Sequence, residues 1–232
     1  MKLKDSVVLI TGANRGIGLA FAKAALARGA RRVYAGARDP SQISLPGATP
    51  LELDVTSPTD IAAAAKSCGD VTLVVNNAGI GRPGSLLLPD AIETVRTHME
   101  TNLFGILRMM QAFAPILAKN GGGAFLNVLS VASWINSGVL NAYAVSKTAA
   151  WSLTNGLRNE LKKQNTQVLA MHMGFVDTDL TKGIDMPKES PESVVNKAFD
   201  ALEANLGEVL ADERAQMIKR GLTAEPPIYL TV

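Results

Sequence analysis

The segment from Val7 to Gly18, with the sequence VVLITGANRGIG, constrains the fold of this chain more than any other. It opens with an apolar, β-branched run that ends at Ile10, and such a run predicts a strand buried on both faces. Gly12, Gly16 and Gly18 follow, and the apolar spacing after Gly16 predicts a helix. The alternative is an ordinary strand-to-helix turn that happens to contain three glycines. Because a strand precedes the glycines and a helix follows them, we favour a dinucleotide site, where glycines admit a pyrophosphate to the helix N-terminus.

Composition narrows the class of protein further. The 232 residues are enough for one substantial α/β core, so we expect a single domain over residues 1–232. The hydrophobic fraction of 47% excludes a disordered chain, and a net charge of +2 gives no reason to expect a nucleic-acid partner. Cys68 has no second cysteine to pair with, and residues 1–6 leave no room for a signal peptide, so we expect a cytoplasmic protein.

Two further features argue against membrane and metal binding. The stretch between Lys119 and Lys147 contains no charged residue, but its asparagines and serines make it too polar for a membrane span. His98 and His172 have no metal-ligand spacing to the cysteine or to paired carboxylates, so we expect both to be structural and expect no metal.

Strand-like and helix-like patterns alternate along the whole chain. This alternation predicts the α/β class: a single-domain Rossmann fold with a doubly wound parallel sheet of about seven strands and helices on both faces. The predicted strands are 7–10, 32–37, 50–53, 71–75, 124–129, 167–172 and 207–211. The predicted helices are 16–28, one from Pro58 capped by Ser57, 91–118 with a bend near Asn102, 143–164, 191–205 capped by Ser190, and 212–220.

The end of the second predicted strand indicates which dinucleotide is bound. The residue about twenty positions past the glycines meets the adenosine ribose, and an acidic side chain there binds a free 2′-OH. This chain has Ala37 and Arg38 at that place, and Arg15 in the glycine turn can supply a second positive charge. Two guanidinium groups suit a 2′-phosphate, which predicts NADP(H) as the cofactor. In the alternative, both arginines are solvated and Asp39 binds the ribose of NAD.

Two more strand ends carry candidate cofactor contacts. Asp54 and Val55 follow the third predicted strand, where a carboxylate can accept a hydrogen bond from adenine; the alternative is an aspartate that caps the following loop. The fourth strand ends in the sequence NNAG, of which Asn76, Ala78 and Gly79 are expected near a ribose. An ordinary polar turn is the alternative there.

Ser130, Tyr143 and Lys147 are the candidate catalytic residues. Tyr143 and Lys147 are four positions apart and therefore share one helical face. An ammonium beside a phenol lowers the phenol pKa from about 10, which makes tyrosine a usable proton donor near neutral pH. A serine hydroxyl beside it can hold a carbonyl oxygen where charge develops. In the alternative, Tyr143 is a half-buried residue at a helix start and Lys147 is solvated.

These motifs together resemble the short-chain dehydrogenase/reductase family over nearly the whole chain. The segments TGANRGIG at 11–18, NNAG at 76–79 and YAVSK at 143–147 match the family's TGxxxGxG, NNAG and YxxxK. Ser130 stands 13 positions before the tyrosine, as in the family, and Asn102 matches the family's helix asparagine.

The resemblance implies a role for each catalytic candidate. Tyr143 would transfer the proton. Lys147 would lower the pKa of Tyr143 and bind the nicotinamide ribose. Ser130 would hold the substrate oxygen, and Asn102 would hold a water in the proton relay. The expected cofactor contacts are Gly12, Asn14, Arg15, Gly16, Ile17, Gly18, Arg38, Asp54, Val55, Asn76, Ala78, Gly79, Tyr143, Lys147, Gly174, Val176 and Thr178.

The chain departs from the family pattern in two places. Met173-Gly174 stands where the family usually has Pro-Gly, although Thr178 remains available near the nicotinamide carboxamide. The C-terminus also lacks the family's common glycine-rich tail, so the assembly, a homodimer or a homotetramer, stays open.

The expected activity is NADPH-dependent reduction of a ketone or aldehyde, of the carbonyl reductase type. The alternatives are an alcohol dehydrogenase that works in the oxidative direction and a catalytically silent dinucleotide-binding regulator. The substrate is expected to be a small carbonyl compound or alcohol, bound between the segments of about 81–90 and 175–192. Ser130, Trp134, Val139 and Phe175 are the candidate substrate contacts.

Overall fold

Seven parallel strands form one sheet in the order β3-β2-β1-β4-β5-β6-β7. The structure is a computed structural model and describes residues 1–231. The strands are β1 (Val7–Thr11), β2 (Arg32–Ala37), β3 (Ala48–Glu52), β4 (Leu73–Asn76), β5 (Gly123–Val128), β6 (Thr166–His172) and β7 (Glu208–Leu210). The predicted α/β class and doubly wound parallel sheet are confirmed.

Helices cover both faces of this sheet, because successive strand residues point to opposite sides. Val8 and Ile10 face a core built with two helices, and Val7 and Leu9 face a second core built with three. The first pair is α1 (Gly16–Ala27) and α6 (Pro191–Glu203); the second set is α2 (Pro58–Ser67), α4 (Gly105–Lys119) and α5 (Asn141–Leu161). The remaining helices are α3 (Ala91–Met99) and α7 (Glu213–Gly221).

The order of strands reverses between β1 and β4. β1 pairs with β2 on one side and with β4 on the other, so that Ile10 lies between Ala35 and Val75. The chain therefore leaves the carboxyl ends of these two strands in opposite directions, which opens a crevice there. In open α/β sheets ligands bind at this switch point.

The bend predicted near Asn102 is a turn of π-helix. Residues Glu100–Phe104 have π geometry between α3 and α4, and the Gly105 N–H donates to the Glu100 carbonyl. Turns of this kind interrupt the regular hydrogen-bond ladder and bend a helix. Asn102 is completely buried at this place.

The predicted helix caps agree with the structure, whereas several element bounds differ by two or three residues: α5 begins at Asn141 and ends at Leu161, against the predicted 143–164. Ser57 and Ser190 cap α2 and α6, as predicted, by accepting a hydrogen bond from a first-turn amide. β3 begins two residues before the predicted Pro50, and β4 begins two residues after the predicted Val71, because the Val71 N–H bonds to Cys68 in a turn. Within residues 1–231, no helix is both long and apolar enough to cross a membrane.

The same substitution at two glycines is expected to change stability in opposite directions. A Cβ on Gly18 would lie 2.0 Å from the Gly12 carbonyl oxygen, whereas one on Gly156, exposed in α5, would have no atom within 4 Å. Gly18→Ala should therefore lower the free energy of unfolding by about 1–3 kcal/mol. Gly156→Ala should raise it by about 0.5–1 kcal/mol, because alanine favours a helix. Urea denaturation of both variants measures this, and a Gly18→Ala variant as stable as Gly156→Ala would contradict the close packing described here.

Candidate active site

A cleft of about 1090 Å³ lies at the carboxyl ends of β1, β2 and β4. Its walls are the glycine turn between β1 and α1, the end of β2, the segments after β3 and β4, and the loop after β6. Eleven of the predicted cofactor contacts line it: Gly12, Asn14, Arg15, Gly16, Ile17, Arg38, Asp54, Val55, Ala78, Gly79 and Thr178.

The glycine turn has the geometry of an anion-binding turn. Gly12 and Gly16 have φ of +64° and +54°, a region that side-chain-bearing residues rarely adopt. A Cβ on Gly16 would also lie 3.3 Å from the Thr178 methyl group. At the start of α1 no side chain caps the first amides and no acidic residue lies in the first turn. Free N–H groups and positive dipole therefore face the cleft, which fits a pyrophosphate.

Asn77 ties this turn to the end of β4. Its Nδ2 donates to the carbonyls of Thr11 and Gly12 at 2.9 and 3.1 Å. The N–H groups of Asn77 and Ala78 donate to the Thr11 hydroxyl at 3.0 and 2.9 Å. Asn77 also lines the cleft, whereas the sequence predicts its neighbour Asn76 as the cofactor contact.

That neighbour, Asn76, lies beneath the cleft. It is 3% exposed, and its Nδ2 donates to Asn127 Oδ1 at 2.8 Å inside the sheet. Gly18 is also buried below the lining, against Gly12 and Asn77. The structure therefore places Asn76 and Gly18 behind the cleft wall, where they support it.

Arg38 and Arg15, the two cations predicted to bind a 2′-phosphate, both line the cleft. Arg38 is exposed at the end of β2 and lines the cleft. Arg15 also lines it, and its Nη1 lies 2.7 Å from Asp179 Oδ2, an ion pair whose side chains are 70% and 68% exposed. Such an exposed pair contributes at most about 1 kcal/mol, so Arg15 can exchange partners at little cost.

The Asp39 carboxylate is occupied by its own turn. It accepts hydrogen bonds from the Ser41 N–H at 3.0 Å, the Ser41 hydroxyl at 2.6 Å and Gln42 Nε2 at 3.0 Å. The hydrogen bonds from Ser41 lower the pKa of Asp39 below its usual value. Gln42, which sequence reasoning missed, also lines the cleft and accepts from Asn14 Nδ2 at 2.8 Å. This turn leaves Asp39 fewer free acceptors for a ribose.

Asp54 both lines the cleft and caps a loop. Its Oδ1 accepts from the Thr56 N–H and the Thr56 hydroxyl, each at 2.8 Å, as the alternative interpretation expected. Asp54 and Val55 nevertheless form part of the cleft wall. The two interpretations of Asp54 are therefore compatible in this geometry.

Ser130, Tyr143 and Lys147 come together directly behind Gly79 and Gly81. A Cβ on Gly79 would lie 3.8 Å from Lys147 Nζ, and one on Gly81 would lie 3.3 Å from Tyr143 Cδ2. The three side chains are 7%, 9% and 4% exposed. The Lys147 ammonium donates to the Val128 carbonyl at 2.8 Å and lies 5.5 Å from the Tyr143 ring centroid. The YxxxK spacing and the serine thus form one buried group beside the cleft.

Burial changes the proton affinities of this group in opposite directions. It raises the pKa of Tyr143 to about 12, although a hydrogen bond with Ser130 lowers that pKa in part. Burial also lowers the pKa of Lys147 to about 8. The prediction of a lowered pKa for Tyr143 is therefore wrong in direction for the protein alone, because desolvation of the phenolate is the largest effect on this pKa. At neutral pH the phenol is protonated.

Asn102 holds the segment after β4 with its side chain. Its Oδ1 accepts from the Ile80 N–H and its Nδ2 donates to the Ile80 carbonyl, both at 2.9 Å. Nδ2 also donates to the Ser146 hydroxyl at 2.9 Å. One turn earlier, His98 Nε2 accepts from the Arg82 N–H at 3.2 Å. The side chain of Asn102 is thus engaged with protein, so a relay water at this residue would need its backbone.

The loop after β6 closes the cleft from the other side. Thr178 faces Gly16, and Leu180 is half-exposed beside Gly81, where its Cδ1 would lie 3.3 Å from a Cβ. Leu180 and Tyr143 therefore both approach Gly81. Gly174 and Val176 belong to this loop but do not line the cleft.

The candidate substrate residues do not share one wall with Ser130. Trp134 packs behind it with Val131 and α7, and stacks on His172 with ring centroids 4.0 Å apart. Phe175 lies under the Arg214 guanidinium at 4.9 Å. Val139 is exposed, and its carbonyl accepts from the Gly84 N–H at 3.2 Å. Of these three, only Val139 is at the edge of the segment 81–90, and the apolar Leu180 lines the cleft beside Gly81.

Within residues 1–231, no group of three histidine, cysteine or carboxylate side chains is arranged to hold an ion.

Comparisons with known proteins identify a matching family and several relatives. The family model described as short chain dehydrogenase matches residues 6–189. A 3-oxoacyl-(acyl-carrier-protein) reductase of Vibrio cholerae serotype O1 is 34% identical over 195 residues, which cover 80% of this chain and 79% of the relative.

Two solved structures share the fold and a measurable part of the sequence. A short chain dehydrogenase from Burkholderia cenocepacia J2315 in complex with NADP has a TM-score of 0.93 and 38% identity, and covers 97% of this chain and 96% of that one. A 7α-hydroxysteroid dehydrogenase complexed with NADH and 7-oxo glycochenodeoxycholic acid has a TM-score of 0.81 and 27% identity, with 90% and 93% covered. Since these two hold different dinucleotides, the fold alone does not select the cofactor.

His172 is expected to make the protein less stable in acid. It is fully buried, its Nδ1 donates to the Ser130 carbonyl at 3.1 Å, and burial lowers its pKa from 6.5 to about 4. Between pH 6.5 and about 4, His172 is protonated in the unfolded chain but stays neutral in the folded protein. The free energy of unfolding should therefore fall by up to about 3 kcal/mol as the pH drops from about 6.5 to about 4. His172→Asn keeps a donor but does not titrate, so urea denaturation from pH 7 to 4.5 should show a shallower loss; equal slopes would contradict a neutral buried histidine.

Proposed function

The chain belongs to the short-chain dehydrogenase family, and on that premise we propose that it is an NADPH-dependent oxidoreductase that reduces a ketone or an aldehyde to an alcohol. The observation that carries the proposal is the position of the buried group of Ser130, Tyr143 and Lys147. It lies immediately behind the wall of a cleft whose glycine turn offers free amides to an anion.

Different residues of the cleft bind different parts of the cofactor in this proposal. Gly12, Gly16 and the first amides of α1 bind the pyrophosphate, since they combine close approach with positive dipole. Asp54 and Val55 bind the adenine, and Thr178 binds the nicotinamide end. NADPH supplies a hydride when it is bound; the protein supplies position and electrostatics.

Tyr143 gives the proton to the substrate oxygen. Because burial raises its pKa to about 12, the phenol is protonated at neutral pH and suits the reductive direction. Ser130 holds the carbonyl oxygen by donating its hydroxyl proton. Lys147 remains a buried cation near the ring and stabilises the phenolate that is left after the transfer.

The choice of NADPH rests on the end of β2. Arg38 faces the cleft beside Ala37, and Arg15 lies in the glycine turn. Asp39 is held by Ser41 and Gln42 in its own turn, which argues against the alternative of a ribose-binding carboxylate. The related Burkholderia structure, at 38% identity, is a complex with NADP.

The substrate is proposed at the level of a chemical class. One relative is named for a 3-oxoacyl group, and the related 7α-hydroxysteroid dehydrogenase is in complex with a 7-oxo steroid; both of these compounds contain a carbonyl group. Leu180, beside Gly81 in the cleft lining, gives the pocket an apolar side. Location in the cytoplasm and assembly as a homodimer or homotetramer stay predictions.

NADPH consumption with a panel of keto esters, cyclic ketones and aldehydes tests the function. The matched assay measures NADP⁺ reduction with the corresponding alcohols, which tests the oxidative alternative. Binding of NADPH without turnover of any carbonyl or alcohol would instead favour the silent regulator.

Tyr143→Phe should abolish turnover while NADPH still binds. The change removes the proton donor but keeps the ring, and loss of a general acid costs about 10²–10⁴-fold in rate. Steady-state kinetics and fluorescence titration with NADPH measure the two effects. A variant that turns over at the wild-type rate would refute the role of Tyr143.

Ala37→Asp combined with Arg38→Leu should reverse the cofactor preference. The aspartate repels a 2′-phosphate and offers an acceptor to a free 2′-OH, and the leucine removes one of two cations. Each charge-assisted hydrogen bond contributes about 1.5–3 kcal/mol, reduced by solvent at this exposed place. The measurement is kcat/KM for NADPH and NADH at fixed ionic strength, because salt screens the effect.

Arg15 remains in that double variant and should leave a residual preference for NADPH. Arg15→Leu alone is the control for its contribution. A wild-type protein that already prefers NADH would show that the register of cofactor contacts at the end of β2 is wrong.

A further inference from the structure

Asp212 links the C-terminal helix to the loop that follows β6. It is 3% exposed and directly precedes α7, where its Oδ1 accepts from the Ala215 N–H at 2.7 Å. Its Oδ2 accepts from the Gly174 N–H at 2.6 Å. One buried carboxylate therefore caps a helix and holds the first glycine of the loop that runs to Thr178.

The neighbours of Asp212 hold it in place. The Ala211 N–H donates to the His172 carbonyl at 2.8 Å, and the Ala211 carbonyl accepts from Lys197 Nζ at 2.8 Å. Arg214 packs over Gly174 so closely that a Cβ there would lie 2.7 Å from its Cδ. The start of α7 is thus fixed against the end of β6 on both sides of the carboxylate.

The loop held by Asp212 has a second anchor near its far end. The Thr181 hydroxyl donates to the Val176 carbonyl at 2.5 Å and lies 3.1 Å from the Thr178 carbonyl. Thr178 itself faces the glycine turn at Gly16. Residues 174–178 are therefore held at both ends while their last residue forms part of the cleft wall.

We infer that Asp212 is a positioning residue for cofactor binding, which it supports by fixing residues 174–178 against the cleft; the inference rests on the proposed function. A proline at the entry of this loop would fix φ near −65° by its ring, and Met173 supplies no such constraint. The hydrogen bond from the Gly174 N–H to Asp212 holds this end of the loop instead, while the N-terminus of α7 fixes the carboxylate and stabilises its negative charge. α7 lies beyond residue 189, where the match to the family model ends.

Asp212→Ala and Asp212→Asn test this, with Leu202→Ala as the control. Leu202 is fully buried in α6 at the opposite end of the sheet, where its carbonyl accepts from Gln167 at the start of β6. Asp212→Ala should raise the NADPH dissociation constant about tenfold, as expected when hydrogen bonds to a charged group are lost. Asp212→Asn can still accept one of the two N–H groups and should fall between. Leu202→Ala should lower the melting temperature but leave NADPH affinity within about twofold of wild type.

Hydrogen exchange of the Gly174 amide without cofactor gives a readout that does not depend on activity. Protection should be lost in Asp212→Ala and kept in Leu202→Ala. An Asp212→Ala variant that melts earlier but keeps wild-type NADPH affinity or slow Gly174 exchange overturns the inference alone. A wild-type protein that binds neither NADPH nor NADH overturns the proposed function and the inference together.

Discussion

The packing of the glycine turn against the end of β4 is the contact on which the site depends. A Cβ on Gly12 would lie 3.2 Å from the Ala78 Cα, and one on Gly18 would lie 2.0 Å from the Gly12 oxygen. Backbone segments approach here more closely than side chains allow, and Asn77, at the end of β4, donates hydrogen bonds to the Thr11 and Gly12 carbonyls. Because β1 and β4 flank the point where the strand order reverses, this contact also fixes where the cleft opens.

Burial, rather than proximity, determines the protonation of the catalytic group. Desolvation penalises the phenolate of Tyr143 and the ammonium of Lys147 alike, so it raises one pKa and lowers the other. A buried ammonium that donates to the Val128 carbonyl is costly to maintain, and a negative charge nearby offsets part of that cost. Tyr143 becomes such a charge only after it has given up its proton. The raised pKa of Tyr143 means that the scaffold favours the protonated phenol of the resting state, and Lys147 offsets part of the cost of the phenolate left after the transfer.

The features predictable from the sequence are those that depend on local backbone chemistry. The sequence predicts the glycine turn, the caps at Ser57 and Ser190 and the bend near Asn102, and the structure has all of them. The sequence does not predict which of Asn76 and Asn77 faces the cleft. Adjacent residues at a strand end point to opposite sides, and the packing of the sheet determines which side is buried. The sequence also does not predict that the pKa of Tyr143 is raised, since it shows the neighbouring lysine but not how deeply the phenol is buried.

Trp134 depends on a contact that is made much later in the chain. It follows Ser130 closely in sequence, yet it packs on α7, which supports the loops after β5 and β6 from behind. Carboxyl ends of strands leave backbone groups that must find partners when they are buried. His172 donates to the Ser130 carbonyl, and Asp212 accepts from the Gly174 N–H. Side chains thus satisfy both loops at the back, and this leaves their front surfaces free for the chemistry of the cleft.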